Sequence, residues 1–285
     1  MTAGRRSGRR TFRLATWNLW WRHGEWEQRQ PAILETLRTV GADVVALQEV
    51  ASADPDQPSM LATDLGLEVV TAPDESNDRF HLVNAVASRW PIVESSWLYL
   101  DVGDMPPHRT LLRARVAAPF GDVDVYCTHL SHGFDQSGLR QLQVRQIAEE
   151  VASRRVANAE KGMPGYPAVL LGDLNAVPDS DEVRMLTGRS APAADGVVFT
   201  DAWEQLGDGP GATYSAANPF VNDSAWPERR LDYVMVGWPR PRPAGNPIEV
   251  SLFGTEPVCG TVPSDHFGVV AELVVPEIDP DRSDA

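Results

Sequence analysis

The sequence predicts a layered α/β sandwich, and three observations carry that prediction. A strand, a helix and a second strand follow one another within residues 12–47, the βαβ pattern. The middle of the chain is crowded with short strand-like runs separated by turn residues, which reads as antiparallel meander. Six short apolar runs each end on a carboxylate, amide or imidazole, so that the strand ends converge on one polar site.

Phe12 to Asn18 reads as the first strand. Residues 26–40 follow with Ile33, Leu34, Leu37 and Val40 at helical spacing, and Gly41 ends that helix. Asp43 to Leu47 is a buried strand running into Gln48-Glu49. A helix over 58–65 and a strand over 67–71 come next, then strands over 81–88, 92–100, 109–117 and 122–129. The longest helical candidate is 136–157, where Leu139, Leu142, Val144, Ile147 and Val151 stand among charged neighbours. Ala168 to Leu171 is a short buried strand stopped by Gly172, and later strands fall at 230–236, 247–253 and 266–274.

The polar motifs run from residue 18 to residue 266 of a 285-residue chain, and no Ser/Gly linker or repeat divides them. A site assembled from both ends argues for one catalytic domain over 11–275, between a disordered basic arm (1–10) and an acidic tail (276–285). The net charge of −15 disfavours sequence-independent binding to nucleic acid, whose affinity comes mostly from Lys and Arg neutralising phosphates. Nearly all positive charge is Arg; Lys161 is the single lysine. Cys127 and Cys259 form neither a Cys-x-x-Cys pair nor a disulfide framework, and Cys127, inside a strand-like run, reads as a small buried thiol. Arg9 to Leu14 has some likeness to a twin-arginine export signal but lacks an uninterrupted apolar segment and a cleavage site. No apolar stretch reaches transmembrane length, no obligate protein partner is evident, and the expected compartment is the cytoplasm.

The chemistry lies in the motifs. Glu49 ends an apolar strand, where a buried carboxylate is expensive unless it meets a cation; the alternative is a solvated strand end. Asn18 offers a neutral oxygen from the neighbouring strand, or is a turn residue. Asp173 and Asn175, two apart in Gly-Asp-Leu-Asn, point the same way if the segment is extended, so that one activates a water and the other binds a phosphoryl oxygen. An Asx-turn is the bland alternative. Gly172 lets the backbone turn and a ligand approach. His129 in Thr128-His129-Leu130 and His266 in Ser264-Asp265-His266 titrate near neutrality. Asp232 is positioned to pair with His129, which would fix its tautomer and favour the imidazolium. Oxygen ligands of this kind suit Mg²⁺ or Mn²⁺.

Taken together, Thr16-Trp17-Asn18, Leu47-Gln48-Glu49-Val50, Asn84 to Pro91, Thr128-His129-Leu130, Gly172 to Asn175, Leu231-Asp232-Tyr233 and Ser264-Asp265-His266 resemble the endonuclease/exonuclease/phosphatase superfamily. The resemblance spans nearly all of the chain after residue 11. It implies a four-layer α/β sandwich with two central, mostly antiparallel sheets flanked by helices, and metal-dependent phosphoester hydrolysis. By resemblance Asn18, Glu49 and Asp265 are at a Mg²⁺ or Mn²⁺ ion, with Asp265 alternatively holding His266. Asp173 and Asn175 then position and activate the attacking water. His129, paired with Asp232, contacts the phosphate and protonates the leaving oxygen, while His266 binds phosphoryl oxygens or acts as base. Asn84 and Arg109 fall in the right part of the chain to bind phosphate. His129 replaces the tyrosine typical of abasic-site enzymes, which argues against that specialisation.

The substrate expectation is a small-molecule or lipid-headgroup phosphodiester or phosphomonoester, from the acidic balance and the His129 context. A nuclease is the alternative: Trp20, Trp21, Arg22 and His23 follow Asn18 and form either a wall on which a base stacks or packing beneath a loop. Arg140 and Arg145 would then approach a phosphate backbone. The remote third reading is an inactive binding scaffold, against which stands the full set of site residues.

Overall fold

The computed structural model describes residues 10–53, 56–74, 81–100, 109–160, 162, 165–221 and 228–275. The expected basic arm before residue 10 and the tail after residue 275 lie outside them.

The amino-terminal part contains β1 (Thr11–Asn18), α1 (Trp26–Val40), β2 (Val44–Ala51), α2 (Gln57–Leu65), β3 (Glu68–Thr71) and β4 (Leu82–Ser88). The centre contains β5 (Ile92–Tyr99), β6 (Thr110–Ala118), β7 (Gly121–His129), α3 (Ser137–Glu160) and β8 (Tyr166–Asp173). The remainder is α4 (Asp181–Leu186), β9 (Val198–Asp201), α5 (Ala202–Leu206), β10 (Asp232–Trp238), β11 (Pro247–Phe253) and β12 (Gly268–Val274). Two six-stranded sheets result, ordered β11-β12-β1-β2-β4-β3 and β5-β6-β7-β8-β10-β9.

Each sheet is antiparallel except for one central parallel pair, β1 with β2 and β7 with β8. A parallel pair needs a crossover, and α1 and α3 supply the two. The expected meander is therefore only β5-β6-β7. β4 pairs in the first sheet instead, and β7, the last run of the expected meander, also opens a second βαβ unit, β7-α3-β8.

Strand alternation explains the layers. Phe12 and Leu14 of β1, with Val44 and Ala46 of β2, face Leu112, Cys127 and Leu171 of the other sheet in a core between the sheets. Their alternate neighbours Ala15, Trp17, Val45 and Leu47 pack under Ile33 and Leu37 of α1. On the outer face of the second sheet, Tyr126 and Leu170 lie under Val144 and Ile147 of α3. Helix, sheet, sheet and helix are the four layers expected. Among the described residues, no helix is long and apolar enough to cross a membrane.

Two local features flank β2, one at each end of the sandwich. α1 stops at Gly41, left-handed at φ 58°, with its N–H bonded to the Leu37 carbonyl. β2 carries an irregularity against β4 between Leu47 and Val50, where Glu49 has φ 52°. Such a bulge re-aims a side chain, here the carboxylate of Glu49. β1 starts at the opposite end, where Phe12 touches Trp90, Phe120 and Tyr166 at centroid distances of 5.6, 5.3 and 5.7 Å.

Candidate active site

Asp173 is the centre of the site. It ends β8, is 1% exposed, and is in register with His129 at the end of β7 and Asp232 at the start of β10. Its Oδ1 accepts the Asn175 N–H at 2.8 Å, and its Oδ2 accepts Asn18 Nδ2 at 3.1 Å. His129 Nε2 lies 3.4 Å and His266 Nε2 4.0 Å from that same Oδ2. Burial first, then the Asp232 carboxylate, pushes Asp173 up to about 7.

The segment after Asp173 is not extended. Asn175 has φ 48° and folds back so that its N–H meets the Asp173 carboxylate, while its Nδ2 donates to the Leu130 carbonyl at 3.0 Å. The Asx-turn and the site are thus the same structure. Gly172 serves the neighbouring strand rather than a ligand: a Cβ there would stand 2.1 Å from the Thr128 carbonyl oxygen.

Asp232 pairs with His266, not with His129 as the sequence reading expected. Its Oδ2 lies 2.9 Å from His266 Nδ1, both groups buried. The register explains the change: Asp232 lies opposite Asp173, and the loop before β12 brings His266 to it. Burial disfavours the imidazolium, but Asp232, with Asp265 and Asp173 behind it, outweighs burial and holds His266 well above its ordinary value. Thr213 Oγ1 accepts the N–H groups of Leu231 and Asp232 at 3.0 and 3.3 Å, fixing the backbone under the pair.

His129 is correspondingly neutral. Burial drives it well below 6.5, and the nearby charges of Arg109, His266 and His132 push the same way. Its Nδ1 is 4.0 Å from Glu49 Oε1.

Asn18 links the two sheets through Asp173, and its Oδ1 accepts the Trp20 N–H at 2.9 Å. Its carbonyl accepts the hydroxyl of Ser264 at 2.7 Å, and Ser264 Oγ accepts the His266 N–H at 3.2 Å. Asp265 is pushed up to about 7, mostly by burial and further by Glu49 and Asp173, against His266 and Arg29. Burial holds the Arg109 guanidinium below its ordinary value against the nearby charges of Glu49 and Asp173, and its Nη2 lies 3.2 Å from His132 Nδ1. Asn84 is next door rather than in contact: its Nδ2 donates to the carbonyl and hydroxyl of Thr110 at 2.9 and 3.1 Å. Arg140 is buried and bonded to Glu182, so it does not face a phosphate backbone, whereas Arg145 is exposed.

The site holds more buried carboxylate than local cation. Among the described residues, Asp173, Asp232 and His266 bring ligand atoms within 4.8 Å of one another, close enough to share an ion. The His266–Asp232 contact, however, has hydrogen-bond length, and a proton there leaves Nδ1 no lone pair for a metal. Asp265 and Asp173 both reach about 7, so the carboxyls beside Asn18 and Glu49 are short of positive charge, a donor chemistry that suits a hard cation. Asp232 Oδ1, buried without a hydrogen-bond partner, adds to the unmet negative charge.

Three contributors carried no signal of role in the sequence: Thr213, Asn218, whose Nδ2 donates to the Ser264 carbonyl at 2.8 Å, and Tyr214, 5.4 Å ring to ring from His266.

Solved structures share this fold. Truncated Caenorhabditis elegans TDP2 is 20% identical, with TM-score 0.70 over 93% of this chain and 97% of that one. D. rerio TDP2 complexed with single-strand DNA product is 22% identical, with TM-score 0.70 over 92% and 98%. Mannosyl-6-phosphatase from Bacteroides thetaiotaomicron is 19% identical, with TM-score 0.71 over 92% and 99%. No curated protein sequence matches significantly. The sequence profile described as "Endonuclease/Exonuclease/phosphatase family" matches residues 15–266, from the strand bearing Asn18 through His266 itself. The chain therefore belongs to the endonuclease/exonuclease/phosphatase family, whose members are phosphoester hydrolases.

Proposed function

We propose that this chain hydrolyses a phosphoester by direct attack of water, with Mg²⁺ or Mn²⁺, on a small-molecule or lipid-headgroup substrate in the cytoplasm. One observation carries the reading: Asp173 gathers Asn18, Asn175, His129 and His266 around one carboxylate, with His266 charged by Asp232.

Asn18, Glu49 and Asp265 would hold the cation, which offsets charge on the phosphoryl oxygens. Asp173 orients the attacking water and takes its proton, a task suited to a carboxyl near pH 7. His266, its Nδ1–H held by Asp232, presents Nε2–H to a phosphoryl or leaving oxygen. His129, neutral, donates one hydrogen bond without adding charge, and Arg109 faces the same carboxylates from the rim. Asn175 steadies Asp173 through its N–H, and Asn84 steadies Thr110 beside Arg109. Cys127 is no nucleophile: burial pushes its thiol up to about 12. Both cysteines are free, which fits a reducing compartment.

Nuclease activity is the second reading, favoured by Trp20 and Trp21, half-buried directly beyond Asn18. Cleavage of supercoiled plasmid or a single-stranded oligonucleotide, abolished by EDTA and by Asp173→Ala, would favour it. No cleavage of either, with a generic aryl phosphodiester hydrolysed, favours the first reading.

A further inference from the structure

Arg29 is fully buried, yet none of its hydrogen bonds goes to a carboxylate. Nε donates to the His23 carbonyl at 3.0 Å. Nη1 donates to Leu19 and Pro263 at 2.9 and 2.8 Å, and Nη2 to Trp20, Trp21 and His23 at 3.1, 2.9 and 2.9 Å. The loop turns its carbonyls onto the one cation by coiling left-handed at Trp20 and Trp21, which have φ 58° and 38°. Bulky residues rarely hold that conformation unless their surroundings impose it, and such strain gathers at functional sites. The loop is the one directly beyond Asn18, and its Trp20 ring lies 4.6 Å from Phe220.

The second βαβ unit repeats the device. Arg140 comes three residues after Ser137 at the start of α3, as Arg29 comes three after Trp26 at the start of α1. It is buried, and its Nη1 donates to the Ser131 and Gly133 carbonyls at 3.1 and 2.7 Å while Nε meets Glu182. Its loop directly follows His129 and presents His132 to Arg109 and Phe134 to Arg229, whose guanidinium carbon lies 4.1 Å from the ring centroid. Both loops leave the C-terminal ends of the strands that deliver Asn18 and His129. Each is wound around a buried arginine of the helix it leads into.

We propose that Arg29 and Arg140 are positioning residues that set the two facing walls of the substrate cleft, loops 19–23 and 131–134, against the hydrolytic centre. The inference rests on the phosphoester-hydrolase reading for what the cleft holds. Two catalytic groups have anchors outside both loops: Asp232 on Thr213 and Asp173 on Asn175. Loosening a wall therefore weakens substrate binding more than the chemical step.

Arg29→Lys and Arg140→Lys keep the charge but lose the planar fork of donors. They should be compared with wild type on bis(4-nitrophenyl) phosphate with Mn²⁺, alongside circular dichroism and amide hydrogen exchange. The expected result is a folded protein whose exchange quickens in the loop of the substituted arginine. kcat/KM should fall about 10²-fold, mainly through KM. If a lysine variant does not fold, the alanine variant with added guanidinium ion should recover fold and low KM. Folded variants with unchanged loop exchange and KM would overturn the proposal. So would a fall confined to kcat, or alanine variants that guanidinium does not restore. An inactive wild type would sink the hydrolase reading alone, since loop exchange is read without turnover.

Discussion

Asp232 and His266 form a buried ion pair, Oδ2 to Nδ1 at 2.9 Å, between the start of β10 and the loop before β12, 34 residues apart in sequence. The pair fixes which imidazole nitrogen faces the carboxylate and which faces the reacting centre. Asp232→Asn should leave the fold intact and lower kcat about 10²-fold or more, as loss of a proton-transfer group does. Because the pair holds the His266 proton on, the variant's activity should fail at lower pH than wild type. A pH–rate profile of both proteins checks this.

Removing the cation should make stability depend on pH in a definite direction. Asp173 and Asp265 sit near pH 7 when folded, against an unfolded value of roughly 3.9. Between those values the folded state binds more protons than the unfolded one, so metal-free stability falls as pH rises from about 4 to about 7. Mn²⁺ or Mg²⁺ should therefore raise the melting temperature more at pH 8 than at pH 5, where ligands still hold protons. Thermal melts with EDTA and with metal at both pH values measure the difference.

Gly172→Ala should destabilise without touching a catalytic side chain. The new Cβ would meet the Thr128 carbonyl at 2.1 Å on the neighbouring strand, so β7 and β8 must part where His129 and Asp173 are in register. A loss on the order of 2 kcal/mol is expected from strain of this kind, read from denaturant unfolding.

Thiol chemistry should separate the two cysteines. Cys259 is exposed; Cys127 is buried between the sheets, donates to the Leu47 carbonyl at 3.5 Å and is pushed up to about 12. One thiol should react with a disulfide reagent at neutral pH in the native protein, and two after unfolding.

Much of this was legible in the sequence because strand ends and helix faces obey short periods. Trp26–Val40 and Pro247–Phe253 fall where the pattern put them, and Asn18, Glu49, Asp173, Asp232 and His266 all come to one end of the sandwich. What was misread depended on register between strands distant in sequence. Asp232 had two histidines to choose from, and only the antiparallel pairing of β10 with β8 decides between them. Asn175 could be read as extended or as an Asx-turn because the pattern shows polarity and not φ, and the two-sheet division of β4 and β5 leaves no trace in the turns between them. The short elements α4, α5 and β9 have too few residues to show a period. Arg140 looked like a phosphate contact because burial of an arginine under a loop has no local signature.

The central claim is tested most directly by hydrolysis of bis(4-nitrophenyl) phosphate by wild type and by Asp173→Ala, each with Mn²⁺ and with EDTA. Turnover by wild type with metal, abolished by EDTA and reduced about 10²-fold or more by the substitution, is the predicted result. Near-normal turnover in the folded variant, or turnover that persists in EDTA, would contradict an Asp173-centred, metal-assisted site.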